Sequence, residues 1–598
     1  MHELRKHSRL PSAIRRSRRT GVVLLIVLVV VAMLALGAYS FVQLMNMEAR
    51  AAQAYGRQVQ ARAAADSGVQ YAAAILMDQK LNGVLGTDLY DSSAMFHGQL
   101  CTDQSALHPR ERSRFSIVAG ADSFDSSTGI RFGLIDESAK INLSRALDLA
   151  KSQSNQAGSG AGGDGGTGTG GGPASGTSAG GTNPLLYLPN MTPEIADAIL
   201  DWIDSDDEPR PYGAESDYYQ SLNPPYRAKN GPINSLDDLL QVAGVTPRLL
   251  YGEDANHNGI LDPNEDDGEQ SAPSDDGNGE LDRGWLPYLT IYSRESNSDY
   301  LGAPRINLNS NDLETLYDTL AADSDFGEER AKFIVAYRLF GVANQGGQSN
   351  QNQAQDTASQ NQGGQNNQAG AGGAAPQSQN SSQGQGSQGG SGGQPSTTPE
   401  KTIAGMDATD GAQFEIKSVL DLIDATVALE VAGQQTPVNT KSPFTTDTMD
   451  EYLDTLLDRT TTTKDTESFG RINCNVAPRE VLLALPGITE DIADAIVSGQ
   501  PSSGTTSGND WSTTDHGWLL VDGHVTKEQF KTFEQYITGR SQMFRIQVIG
   551  YFEDGGPVAR LEAVIDVSGS SPRIRMWRDL TPLGRGVDPG VLMGTSGN

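Results

Sequence analysis

From Val22 to Phe41 the chain carries no charged residue. At ~1.5 Å rise per residue, such a helical run is about 30 Å long, enough to cross a bilayer. Polar residues return after Val42, but the helical composition continues. Residues 45–80 contain no Pro and only Gly56 and Gly68, and Arg50, Arg57 and Arg62 alternate with Ala51, Ala54, Tyr55, Val59 and Ala63. Ala, Gln, Arg and Met are good helix formers, so the pattern predicts one long helix, apolar in its first half and amphipathic in its second. Strand patterns follow at 115–119 and 130–135, split by a turn-rich segment, and again at 543–550 and 559–567 around the turn Asp554-Gly555-Gly556. The late hairpin is expected to complete the sheet begun at Phe115, with helical material inserted between.

The inserted part reads as helical and punctuated. Thr192-Pro193 opens a helix, with Thr as cap and Pro in the first turn. Ser235 to Asp238 has capping-box form, Thr246-Pro247 starts another turn, Asn311 with Glu314 reads as a box, Pro478 lies in a first turn, and Thr526 with Gln529 form a further box. Two low-complexity stretches interrupt this part. Residues 152–182 are dominated by Gly, Ser, Thr and Ala, and 343–400 by Gln, Gly, Asn and Ser. Neither has apolar surface to bury, so both are expected to be linkers inserted within the fold.

Three segments share one pattern: Lys140-Ile-Asn-Leu-Ser144, Arg305-Ile-Asn-Leu-Asn309 and Arg471-Ile-Asn-Cys-Asn475. Each is expected to lead into a helix. The third continues through Pro486-Gly487-Ile488 to Ile496 and resembles a helix–hairpin–helix, or SAM-like, unit. Such units often bind DNA, so a membrane-anchored DNA receptor is an alternative reading. Glu490, Asp491 and Asp494 follow the hairpin, and no Lys or Arg appears again until Lys527. Over 598 residues the formal charge is −31. Both facts argue against a nucleic-acid partner, because phosphate binding needs a basic face.

Seven Lys or Arg and one Glu precede the apolar run. The positive-inside rule then keeps the short N-terminus cytoplasmic and places the body outside. The run is long for a secretory signal peptide. A plain anchor and a prepilin-type leader cut between Gly21 and Val22 both remain, and the continuous long helix favours the second. Cys101 and Cys474 permit one disulfide without establishing it. His is rare, and no phosphate loop, zinc spacing or Ser/His/Asp pattern stands out, so no enzyme is expected.

The leader and helix resemble the type IV pilins and the pseudopilins of type II secretion. Most members carry Glu at the fifth mature position; here that position is Ile26, a replacement that resembles the protein K minor pseudopilins (GspK). The run from Asp201-Trp202-Ile203-Asp204 through Tyr218-Tyr219 and Pro224–Asn230 to Leu249-Leu250-Tyr251-Gly252 is also similar to the GspK helical domain. The acids of this run read as turn caps and solvated loops. The resemblance implies an α+β fold: a pilin-like long N-terminal helix on a small antiparallel sheet, with a large inserted all-α, SAM-like domain. The corresponding layout is leader 1–21, helix 22–82, first part of the body 83–140, helical regions 141–300 and 301–540, completing strands 541–580 and tail 581–598. It further implies a single-pass inner-membrane protein with a periplasmic body, at the tip of the secretion pseudopilus. Its partners would be other minor pseudopilins, the prepilin peptidase, and exported substrates or the outer-membrane channel. A type IV pilus minor pilin is the nearest alternative.

Residues 254–265 match a twelve-residue calcium loop. Asp254, Asn256, Asn258, Asp262 and Glu265 supply oxygens at positions 1, 3, 5, 9 and 12, Gly259 sits at the sharp turn, and Ile260 offers its carbonyl. Pro263 favours an isolated loop over a paired EF-hand. A degenerate second match holds Asp276, Asn278 and Asp282, with Ser274 and Trp285 at the terminal positions. Calcium is the expected cofactor.

Overall fold

The computed structural model describes residues 20–81, 89–101, 108, 111–120, 130–159, 183–270, 275–343, 401–429, 436–500 and 515–593. The fold mixes helix and sheet around one long N-terminal helix, Thr20–Leu81. At ~1.5 Å per residue this helix runs about 93 Å. Its first part, from Val22, is long and apolar enough to cross a membrane, and none of that window is buried in the protein. Burial begins with Ala61 and continues through Ala65, Val69, Ala72 and Leu76. Steps of three and four put these residues on one stripe, and small side chains let the helix lie close to its neighbour.

That neighbour is an antiparallel sheet. Its main path is Gln99–Leu100, Ser113–Gly120, Met543–Phe552, Ala559–Asp566 and Arg573–Asp579. Ile549 pairs with Ser116 on one side and Arg560 on the other. The C-terminal hairpin therefore completes the sheet begun near Phe115, as expected from the alternation of both segments. Contact with the helix is backbone-close: a Cβ on Gly550 would stand 2.1 Å from the Ala61 carbonyl oxygen, and one on Gly68 would stand 2.5 Å from Val548 Cγ1. The strand expected over 130–135 is instead two short pieces, Ile130–Arg131 and Ile135–Asp136. Between them Gly133 presses on the Tyr90 backbone, where a Cβ would meet the carbonyl oxygen at 1.9 Å.

The three Ile-Asn segments prove to be strand fragments, each closed by a parallel partner far along the chain. Ile141–Asn142 pairs with Leu289–Thr290, Ile306–Asn307 with Thr460–Thr461, and Ile472–Asn473 with Ile537–Thr538. In each, the Asn side-chain oxygen accepts the amide two residues on: Ser144 at 3.0 Å, Asn309 at 2.9 Å and Asn475 at 3.1 Å. Asn suits this turn because its short side chain reaches its own backbone two residues later. Buried apolar residues from Ile141 to Ile537 form one continuous core.

The insertion is not all-α. It contains the hairpin Thr426–Leu429 with Val438–Lys441 and the pair Arg294–Ser296 with Glu467–Phe469. The helix expected after Ser235 is a 3₁₀ turn, Leu236–Gln241. Thr192, Thr246 and Thr526 cap as expected, and Gln529 completes its box. The Asn311 box does not form. Asp312 caps Leu313–Ala322 instead, because its carboxylate takes both the Thr315 amide and hydroxyl. Cys101 and Cys474 are both free thiols, lying in separate cores.

Candidate cation sites

The Pro247–Tyr251 helix ends at Gly252, whose φ of 70° turns the chain into the 254–265 loop. Asp254 Oδ1 accepts the Asn258 amide at 3.0 Å and Oδ2 the Gly259 amide at 2.9 Å. Glu265 clasps the other end, accepting from Ala255 at 3.0 Å and from Asp262 at 3.1 Å. Asn256 and Asn258 both donate to Asp262 Oδ2. Two left-handed residues, His257 at φ 56° and Gly259 at φ 72°, fold the centre tightly. The side chains foreseen as ligands are thus gathered in one loop, with Asp254, Asn258 and Glu265 buried. Asn258 Oδ1 accepts the Ile260 amide at 2.7 Å.

The chemistry of this donor set fits a hard divalent cation. Asn256 Oδ1 is buried with no hydrogen-bond partner. Burial, then the nearby Asp254 and Asp262, push Glu265 up to about 6, and burial also raises Asp254. Crowded, desolvated carboxylates of this kind favour a cation over three free charges.

The degenerate match behaves differently. Asp276 bonds the Asn278 amide and side chain, whereas Asp282 accepts the Gly284 amide at 2.8 Å. Ser274 lies outside the described residues. Asp275, which the sequence pattern passed over, organises this stretch by accepting from Asp267, Gly268 and Gly277.

A second carboxylate cage was also missed. Among the described residues, Asp201, Asp204 and Glu215 bring ligand oxygens within 4.8 Å of one another. Asp201 lies buried in the last turn of the Pro193–Ile203 helix, and the chain returns through Gly213 to Glu215. Gly213 is required there: a Cβ would stand 1.8 Å from Asp201 Oδ2. Arg210 Nη1 bonds both Asp201 and Asp204. Glu215 is 4% exposed and neither of its carboxylate oxygens has a partner. Burial, Asp201, Asp204 and Asp207 push it up to about 7. These acids are not the solvated turn residues that their Pro-rich setting suggested.

Thr20 and Gly21 open the long helix, and Val22 and Ile26 lie exposed on it; the rest of the leader lies outside the described residues. At the hairpin, Arg479 is bonded to Asp494 and Glu490. This cation is thus paired with acids, which adds to the case against phosphate binding.

Residues 184–251 match the sequence model of a family described as type II secretion system (T2SS), protein K, first domain. A putative type II secretion system protein K of Escherichia coli K12 is 41% identical over 58 residues, covering 10% of this chain and 18% of that protein. Protein K of Aeromonas hydrophila is 46% identical over 57 residues, 9% of this chain and 17% of its own length. The chain's match thus spans less than a fifth of these relatives. A GspK–GspI–GspJ complex from enterotoxigenic Escherichia coli aligns with a TM-score of 0.30 at 10% identity, covering 89% of this chain and 99% of that one. Residues 184–251 are thus similar to the protein K component of type II secretion systems.

Proposed function

We propose that this protein is a minor pseudopilin of a type II secretion system: a non-enzymatic assembly subunit that sits at the tip of the pseudopilus and serves protein export across the outer membrane. The observation that carries this reading is the protein K block at 184–251, in a chain that also has a membrane-length helix packed on a sheet. In this reading the helix anchors the chain once in the inner membrane, N-terminus inward and body in the periplasm, until assembly draws it out. Prepilin peptidase removes residues 1–21. Ile26 leaves no carboxylate to neutralise the N-terminal amine of a neighbour, which suits a subunit with none in front of it. Other minor pseudopilins bind along the long helix. The helical regions 141–300 and 301–540, with their SAM-like hairpin, are packing modules that face exported substrates or the outer-membrane channel.

Calcium is the proposed cofactor. Asp254, Asn256, Asn258, Ile260, Asp262 and Glu265 would hold one ion, and the Asp201–Asp204–Glu215 cage offers a second oxygen-rich position. The ion would neutralise crowded carboxylates and supply structural rigidity, with no chemical step attached to it.

N-terminal sequencing of the protein from cells with an intact prepilin peptidase tests the assembly reading. The mature chain should begin at Val22; a product retaining residues 1–21 would overturn it. Calorimetry tests the cofactor: calcium binding should be weakened or lost in Asp254→Ala, and unchanged binding would reject the 254–265 loop.

A further inference from the structure

The calcium loop divides its residues between two tasks. Asp254, Asn256, Asp262 and Glu265 bond within the loop, whereas 257–260 also reach out of it to the sheet and the tail. The His257 carbonyl accepts Gln547 Nε2 at 2.7 Å and Arg560 Nη2 at 3.1 Å, from two adjacent central strands. Gln547 Oε1 also accepts Arg560 Nη2 at 3.2 Å, so the two donors are fixed together. Asn258 Nδ2 donates to the Gly586 carbonyl at 2.6 Å, in the C-terminal tail. Gly259 lies against Gly120, and Ile260 packs against the small core that holds Val118, Ile130 and Ile549. These contacts join residues far apart in sequence: the inserted segment touches the Ser113–Gly120 strand, both hairpin strands and the tail. The loop also begins beyond the protein K block, which ends at residue 251.

We infer that the 254–265 loop is a cation-set latch that holds the inserted helical part on the pilin-type sheet. This rests on the calcium reading of the loop. The left-handed turn at His257 and Gly259 is what aims the His257 carbonyl and the Gly259 backbone at the sheet. That turn is held by Asp254, the first ligand position. A bound ion offsets the repulsion among Asp254, Asp262 and Glu265 and thereby fixes the turn. With the ion removed, the turn loosens and the sheet contacts weaken together. Such coupling is reciprocal, so contacts on the sheet must in turn strengthen ion binding.

Gln547 provides the test, because it is uncharged and is not a ligand. In the full-length chain in detergent, Gln547→Ala should weaken calcium binding roughly fivefold or more by calorimetry, with the ligand side chains intact. In the wild type, calcium should slow hydrogen exchange at 115–120 and 584–592 as well as within the loop, and Glu265→Gln should abolish that protection. If calcium binds but Gln547→Ala leaves affinity unchanged and protection stays within 253–266, the latch is refuted and the calcium site survives. If the wild type binds no calcium, both ideas fall.

Discussion

Gly120 and Gly259 meet backbone to backbone: a Cβ on Gly259 would stand 2.8 Å from the Gly120 Cα, and one on Gly120 would stand 3.1 Å from the Gly259 Cα. No side chain fits between the end of the Ser113–Gly120 strand and the turn of the 254–265 loop. Gly120→Ala is therefore expected to push the loop off the sheet, at a cost of about 1–3 kcal/mol from overpacking. Chemical denaturation would measure it. A variant as stable as the wild type would show that the two segments do not pack this closely.

Where the sheet joins the insertion, Glu137 is fully buried among charges. It accepts from Arg545 Nε at 2.7 Å, from Lys140 Nζ at 2.9 Å and from the Thr290 hydroxyl. Burial alone would raise its pKa, but Arg545 and Lys140 prevail and hold it well below the usual carboxylate range. Because the folded value lies under the unfolded one, the stabilisation is present above about pH 4.3 and drains away as acid is added below that. Glu137→Gln leaves the buried Lys140 without its carboxylate and Arg545 with Glu562 alone, and should cost roughly 3–5 kcal/mol at pH 7. Denaturation of both proteins should show the gap narrowing toward pH 3. A constant gap would mean that the carboxylate charge is not what matters.

Local pattern carried much of this architecture. The long helix, the 543–566 hairpin and the Thr192, Thr246 and Thr526 caps depend on neighbours in sequence, and alternation plus turn residues specify them. The tight 254–265 turn was legible for the same reason: twelve contiguous residues make the whole loop, and their side chains bond to one another. The Asp201–Asp204–Glu215 cage was not, because Glu215 reaches it only after Arg210 folds the intervening chain back onto Asp201 and Asp204. The one available sign was Gly213, two residues before Glu215, whose lack of a side chain admits Asp201. The Ile-Asn repeat was visible, but not its closure, since the partner of Ile141 is Leu289. Parallel pairing across that separation leaves no local mark.

The cap of the Leu313–Ala322 helix separates two neighbouring residues cleanly. Asp312→Ala removes a carboxylate that serves the Thr315 amide at 3.2 Å and its hydroxyl at 2.7 Å, and should cost about 1 kcal/mol. Asn311→Ala is exposed and should change stability by less than ~0.5 kcal/mol. Urea midpoints of the two variants decide between them. The reverse order would restore the capping box that the sequence spacing suggested.

Two glycines should respond to alanine with opposite signs. At Gly550 the new methyl would meet the Ala61 carbonyl oxygen at 2.1 Å and the Ala65 amide nitrogen at 2.6 Å. Both are backbone atoms of the long helix, so relief requires the helix to lift from the central strand and part its alanine stripe from the sheet. Overpacking against backbone should cost ~3 kcal/mol or more. Gly56 lies on the same helix with nothing within 4 Å of a new Cβ. There alanine only removes the helix penalty of glycine, a gain of up to ~1 kcal/mol. Thermal unfolding of the detergent-solubilised chain should thus show a lowered midpoint for Gly550→Ala and an equal or slightly raised one for Gly56→Ala. An unaffected Gly550→Ala protein would mean that the helix does not ride on the Met543–Phe552 strand, and the packing of the long helix on the sheet would have to be abandoned.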